Sequence, residues 1–343
     1  MSLPQRIIVT RFSAMGDVAM VASVLNEFCQ QYPTVEIIMV SRHFFAPFFD
    51  GIKNIKFHAI EPKTTHKGLL GLIRLKNELT QYRAEAVADL HFNLRSRILD
   101  VLFSLSGIKV KQLDKGRAEK KALTRKENKV KHQLKLTVER YADVFRALSF
   151  HFELSHKLAS NLQDVPKAAF SMFGNFERKK IGIAAFAQHQ YKIFSLVKMG
   201  QIIDHLAHHG YDVLLFGGGK EEFQIAQNWT ESFPNTYNTI GKFTLREELD
   251  IISNLDLMIS MDSSGLHMAS LMGIRCLSLW GATHPYAGFK GYGQQYDDCI
   301  QVEHPNRPSA VYGNKPCDCD GTEAIDLITP EMVIEKIISR DQA

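Results

Sequence analysis

Short runs of β-branched and other apolar residues alternate along this chain with longer segments in which apolar residues recur every three or four positions. RIIVTRF (6–12) is followed by a helical pattern from about Gly16 to Gln30, and then by VEIIMVS (35–41). A helix from about Lys67 to Tyr82, a strand in AEAVADLHF (84–92) and a helix near Arg95–Ser106 continue the rhythm. Leu134, Val138, Tyr141, Phe145 and Leu148 then fall at spacings of four, three, four and three, which places them on one face of a helix expected over His132–Leu148. Apolar strands separated by amphipathic helices predict a parallel α/β sheet with helices packed on it.

Between about 152 and 179 neither period is visible, and a linker is expected at 156–178. Beyond it the alternation restarts with KIGIAAF (180–186), a helix near Ser195–Gly210, YDVLLFG (211–217) and a helix from about Glu221. LDLMIS (255–260), a helix from about Ser264 and IRCLSLWG (274–281) follow, and ITPEMVIEKIISR reads as a terminal helix with proline in its first turn. The economical division is an amino-terminal half at 1–155 and a carboxyl-terminal half at 179–343.

A length of 343 residues accommodates about two domains of roughly 150 residues, and 45% hydrophobic with 23% charged residues excludes a disordered or fibrous chain. Five cysteines without regular spacing point to a reducing compartment, hence to the cytoplasm. The apolar run near the amino terminus reads as a strand rather than a signal peptide, and no run of about 18 apolar residues is present to span a membrane. The net charge is only +4, but residues 109–135 contain eleven Lys or Arg against three acids, so the remainder is slightly acidic. A basic loop there suggests a polyanionic partner. With no Phe, Tyr or Trp in the segment to stack on bases, a phosphorylated lipid or sugar fits better than nucleic acid.

Candidate chemistry lies where strands end. RFSAMGDVAM (11–20) joins a strand to a helix amino terminus, where free N–H groups and the helix dipole attract anions; Asp17 in that first turn either complements the dipole or acts on a substrate. MDSSGLHMASLMG (261–273) repeats the arrangement: Asp262 or Ser263 can cap the helix while the amides of Ser264 and Gly265 face outward. His267, one turn in, is either a satisfied imidazole or a functional one. Lys192 follows a strand end and could meet phosphate, or simply be solvated. Gly217 and Gly218 in FGGGKEE allow close approach of a ligand, or make a tight turn. Cys317-Asp318-Cys319-Asp320 lacks a second ligand pair at zinc spacing and reads as structural, so no metal is expected.

In this order RFSAMGDV, DLHFNLRS (89–96), the helix beginning at His132, FGGGKE, MDSSGLHMAS and LSLWGATHP (277–285) resemble the heptosyltransferases, family 9 of the glycosyltransferases, over nearly the whole chain. The resemblance implies the GT-B fold, two Rossmann-like domains facing across a cleft. It implies metal-independent, inverting transfer of a heptose from ADP-heptose to a lipopolysaccharide-core or related cell-envelope glycan. Asp17 would be the general base. Lys192, Asp262, Ser263, Ser264, Gly265, His267, Gly217 and Gly218 would hold the donor. Ser13, Gly16, Arg95, Lys120, Lys121, Arg125 and Lys126 would meet a phosphorylated lipid-linked acceptor, with peripheral contact at the cytoplasmic face of the inner membrane and no cofactor beyond the nucleotide sugar.

Two features depart from the family pattern. Ser264 stands where the family has glycine in Asp-Ser-Gly, although His267 keeps its place, and any of Arg246, Glu247 and Glu248 occupies the region where a carboxylate meets the donor ribose. A nucleotide-sugar epimerase of similar fold and a catalytically idle nucleotide-sugar-binding protein are the competing readings. A dinucleotide oxidoreductase is disfavoured, since G-x-G-x-x-G is missing from both halves.

Overall fold

The computed structural model describes residues 3–175 and 177–341 and divides into two compact units. The first comprises residues up to 116 together with 135–156. It contains strands β1 (Arg6–Thr10), β2 (Glu36–Ser41), β3 (Ile55–Ala59), β4 (Ala86–Asp89) and β5 (Lys109–Gln112), with helices α1 (Met15–Gln31), α2 (Gly68–Thr80) and α3 (Leu94–Ser104) between them. The strands form one parallel sheet ordered β3-β2-β1-β4-β5. Ile7, Ile8 and Val9 are buried, as a strand with helices on both faces requires. The second unit, 117–134 and 157 onward, opens with α4 (Arg117–Thr124). Helix α5 (Thr137–Ala147) returns to the first unit, and its Phe145 ring lies 4.4 Å from that of Phe28 on α1.

The second sheet is built from β6 (Lys179–Ala184), β7 (Tyr211–Leu215), β8 (Thr236–Asn238), β9 (Leu257–Met261), β10 (Cys276–Leu279) and β11 (Cys299–Ile300), in the parallel order β11-β10-β9-β6-β7-β8. Helices α6 (Leu196–His208), α7 (Lys220–Ser232), α8 (Leu245–Ile252), α9 (Ser264–Leu271) and α10 (Pro330–Asp341) complete it. Two parallel, Rossmann-like sheets are the α/β class expected from the alternation. In each sheet the strand order reverses once, between β1 and β4 in the first and between β6 and β9 in the second. Open α/β sheets bind ligands outside the carboxyl ends of strands at such a reversal.

Three expectations are corrected here. The helix over His132–Leu148 begins only at Thr137: Leu134 leaves the apolar stripe and is buried with Leu123 and Ala287 in the second unit, its N–H bonded to Tyr286 O at 3.0 Å. The linker at 156–178 is, from Lys157, part of the second unit; Asn161 N–H donates to Met272 O and Gln163 N–H to Ser253 Oγ. The basic segment is not one loop: strand β5 and helix α4 occupy 109–112 and 117–124, the remainder is irregular, and 117–134 packs with the second unit rather than the first.

Candidate active site

The β1–β4 reversal gathers a charged cluster in the first unit. Thr10 and Asp89 face each other in register at the strand ends, and Thr10 Oγ1 donates to Asp89 Oδ1 at 2.9 Å. Asp89 also accepts from the His91 and Phe92 amides at 2.8 and 3.0 Å and from Ser96 Oγ at 2.7 Å. Asn93 caps α3 by accepting from Ser96 N–H. Three polar side chains of DLHFNLRS, Asp89, Asn93 and Ser96, thus fold the turn after β4, and Arg95 is left half-buried in the first turn of α3.

Arg11 follows β1 and points the other way. One guanidinium nitrogen donates to Leu90 O at 2.8 Å, and another forms an ion pair with Asp17 Oδ2 at 2.5 Å. Burial opposes the Arg11 charge, but Asp17, Tyr141 and Asp89 more than offset it and raise its pKa above the ordinary value. Asp17 is the third residue of α1, after Ser13 and with Gly16 just before it. Its Oδ2 accepts from Ala14 N–H at 3.3 Å, and the Tyr141 hydroxyl donates to Oδ1 at 3.3 Å. Asp17 therefore does serve the helix terminus, while its quarter-exposed carboxylate is oriented by a buried arginine and a tyrosine. Helix capping alone does not call for that support.

Sequence reasoning missed Arg11, Tyr141, His91 and Asp100. Tyr141 reads as one more residue of an apolar stripe, and only the fold shows its hydroxyl reaching Asp17. Burial and then the Arg11 charge push His91 down to about 3, so it is neutral and its Nδ1 accepts from Phe12 N–H. Asp100 is pushed up to about 8 by burial and then by neighbouring Asp89. Its Oδ2 accepts from Gln112 at 2.8 Å, and a hydrogen bond to the Asp89 carboxylate, which only the protonated form can donate, favours the retained proton. The unfolded chain releases this proton above about pH 4 and the folded chain holds it to about pH 8, so the group opposes folding increasingly as pH rises between those values. Asp100→Asn should therefore be more stable than wild type at pH 7, by at least about 1 kcal/mol, the equivalent of roughly one pKa unit. The gain should vanish near pH 4 in denaturant titrations. Equal pH profiles for the two proteins would show that Asp100 is ionised when folded.

At the β6–β9 reversal of the second unit, Lys192 closes a short 3₁₀ turn after β6, and its Nζ donates to Asp262 O at 2.7 Å and pairs with Asp262 Oδ2 at 2.8 Å. Asp262 begins the turn from β9 into α9 and is buried. The solvated lysine is thereby excluded. Ser263 occupies the cap position of α9, but its hydroxyl lies 3.3 Å from Ser260 Oγ and makes no side-chain cap bond. Ser264 and Gly265 open the helix, where amides lack acceptors within it. Gly265 is held to glycine by packing, since a Cβ would lie 2.5 Å from Ala184 Cβ and 2.8 Å from Ser260 Oγ. Residue 265 therefore has no room for a side chain, whereas Ser264, only partly buried, carries one. His267 is buried one turn further on. After β7, Gly217 packs against Phe186 and Glu222, and Gly218 N–H donates to Glu222 Oε2 at 2.7 Å, so these glycines form a tight turn into α7.

Residues 72–316, well over half of the chain, match the model of glycosyltransferase family 9, heptosyltransferase. The chain belongs to that family. It is 25% identical over 322 residues to the lipopolysaccharide core heptosyltransferase OpsX of Haemophilus influenzae, covering 90% of this chain and 89% of OpsX. Among solved structures, a family 9 glycosyltransferase from Veillonella parvula superposes with a TM-score of 0.75 at 18% identity, covering 99% of this chain and 98% of the other. The Escherichia coli ADP-heptose lipopolysaccharide heptosyltransferase II gives 0.69 at 18%, covering 98% and 100%. The fold is therefore that of the family 9 glycosyltransferases, and the chain is an enzyme of that family.

Two open points of this glycosyltransferase gain definition from the side chains. Of the three residues near the expected ribose contact, Arg246 is paired with Asp250, and Glu247 accepts from Thr244 in a capping box. Glu248 makes no side-chain hydrogen bond among the described residues, and burial pushes it up to about 7. In the basic segment, Lys120 is buried with its ammonium 4.3 Å from the Phe289 ring centroid, which corrects its expected place among the acceptor-facing lysines. Lys129 donates to Asn306 O and Pro308 O, and Lys131 pairs with Glu303. Lys121, Arg125 and Lys126 are exposed. Cys317 and Cys319 are free, buried thiols, and no cluster of three metal-binding side chains is found among the described residues.

Proposed function

We propose that the protein is an inverting, metal-independent heptosyltransferase that moves heptose from ADP-heptose to a lipid-linked glycan of the lipopolysaccharide core. The observation carrying this reading is the Arg11–Asp17–Tyr141 arrangement in a family 9 chain. An aspartate held at the sheet's carboxyl edge can take the proton of an acceptor hydroxyl as it attacks the anomeric carbon. On the donor side, Lys192 and the first amides of α9 would bear the diphosphate as it leaves, and Glu248, the one of the three candidates without a side-chain hydrogen bond among the described residues, would meet the ribose hydroxyls. Ser13, Gly16 and Arg95 would meet the acceptor, together with Lys121, Arg125 and Lys126.

The test is release of ADP from ADP-heptose with and without a lipopolysaccharide-core acceptor. Release that requires the acceptor and survives EDTA supports the proposal; an isomerised sugar nucleotide formed without acceptor would establish the epimerase reading instead. Lys192→Ala should weaken binding of ADP by about 1–3 kcal/mol, the magnitude of a charge-assisted hydrogen bond. The lower end is expected, since Asp262 already neutralises part of the charge. Titration calorimetry with ADP checks it, and unchanged affinity would remove Lys192 from the donor site.

A further inference from the structure

Helices α2 and α3 each carry two apolar faces. Inward, Leu72, Leu75 and Leu79 of α2 and Leu99 and Phe103 of α3 share one buried cluster against the first sheet. That accounts for the ordinary amphipathic packing of a crossover helix. Outward, the first two turns of α2 expose Leu69, Leu70 and Ile73, and α3 with its C-cap exposes Leu94, Val101 and Leu105 at spacings of seven and four. Leu70 and Leu105 are each 81% exposed, so these are not the rims of buried side chains. The two helices pack side by side on one face of the sheet. Six exposed aliphatic residues on adjoining helices form a patch of the kind that marks an interaction surface.

Charge identifies the partner. Residues 63–74 and 94–105 together hold five Lys or Arg and one acid, Asp100, which is buried. Lys63, Lys67, Arg74 and Arg97 are exposed around the leucines. Two copies docked through this face would bring like charges together, whereas an anionic lipid surface would neutralise them. Helices of 13 and 11 residues are too short to cross a bilayer, but an apolar face rimmed with Lys and Arg suits one lying in the interface. We infer that the outward face of α2 and α3 docks the first unit onto an anionic lipid bilayer. Both helices begin at the carboxyl edge of the sheet, the edge at which α1 presents Asp17. Docking there would hold the base near acceptors embedded in the membrane, a consequence that rests on the proposed lipid-linked acceptor.

The experiment is flotation of the full chain with vesicles of phosphatidylethanolamine and phosphatidylglycerol, compared with vesicles of phosphatidylcholine alone. Wild type should partition onto the anionic vesicles about tenfold or more better, the scale set by a few basic side chains at such a surface. L70E/L105E, at a solvent-facing position of α2 and the exposed C-cap of α3, should keep its circular dichroism and melting temperature and lose about tenfold or more of this binding. R74E/R97E should abolish the anionic preference. Its turnover with a water-soluble core oligosaccharide lacking acyl chains should match wild type, as should that of L70E/L105E. Equal binding to both vesicle types, or L70E/L105E binding like wild type, would overturn the inference. So would a wild-type dimer in sedimentation velocity that L70E/L105E splits, which would assign the face to a second copy. A wild-type protein that floats with anionic vesicles yet transfers no heptose to the soluble acceptor would refute the proposed activity and leave the docking face standing.

Discussion

Asp17→Asn should lower turnover about 10²- to 10⁴-fold while leaving the affinity for ADP-heptose nearly unchanged, the range expected when a general base is lost. With its oxygen in the place of Oδ2 the amide can still accept from Ala14 N–H, and its NH2 can donate to the Tyr141 hydroxyl oxygen, so the first turn of α1 retains its polar partners. What it cannot do is take a proton. The substitution also removes the counter-charge of Arg11, whose side chain is nearly buried, and breaking one side of such a pair costs about 3 kcal/mol or more. Leu90 O and the nearby Asp89 remain to hold the guanidinium, which favours a folded variant. Turnover should therefore be measured under conditions where a melting curve shows D17N to be native, alongside calorimetric binding of the donor. Wild-type turnover in that folded variant would remove Asp17 from the reaction, and a parallel loss of donor affinity would point to a binding role instead.

The legible parts of this chain are those in which one local rule decides the outcome. Apolar runs such as RIIVT and YDVLL become central strands because both faces are buried, and Pro330 opens α10 as its fixed φ favours. Asp17, Lys192 and Asp262 were legible as chemistry at strand ends, and the fold places each at a point where strand order reverses. Strands β3, β5 and β8 were not visible. β3 and β5 are at the sheet's edges and carry lysines, and β8 is an edge strand only three residues long, so they lack the continuous apolar pattern of a buried strand. Leu134 misled for a different reason: its spacing matched the helix, but a tertiary contact with Leu123 and Ala287 claimed it. The side of Lys120 was equally hidden, since charge counting locates a lysine in the chain but says nothing of an aromatic ring 169 residues away.

Arg307→Met should be the most damaging single change in the second unit, lowering its stability by about 3–5 kcal/mol. Arg307 is fully buried, and burial works to lower its pKa, with Glu303 opposing. The charge persists because the guanidinium is surrounded by acceptors: Gly281 O at 2.6 Å, Val302 O at 2.5 Å, and Trp280 O and Thr283 O at 2.9 Å each. These carbonyls lie on the chain leaving β10 and on the segment after β11, so one side chain ties two loops together. Methionine fills similar space but leaves the carbonyls buried without their donor, each at about 1–3 kcal/mol less whatever water can recover. The consequence extends to Lys192, proposed above to meet the donor. Gly313, further along the same loop, packs so tightly on Lys192 that a Cβ would come within 2.4 Å of its Cγ. Loosening the loop should cost Lys192 its fixed position, and ADP affinity should fall along with stability. A melting temperature about 10 °C lower is expected for that unit, at roughly 2–4 °C per kcal/mol. Calorimetry at a temperature where the variant is folded separates the two effects. A melting temperature and an ADP affinity equal to wild type would show that the loop is held by its other contacts, Lys129 foremost among them.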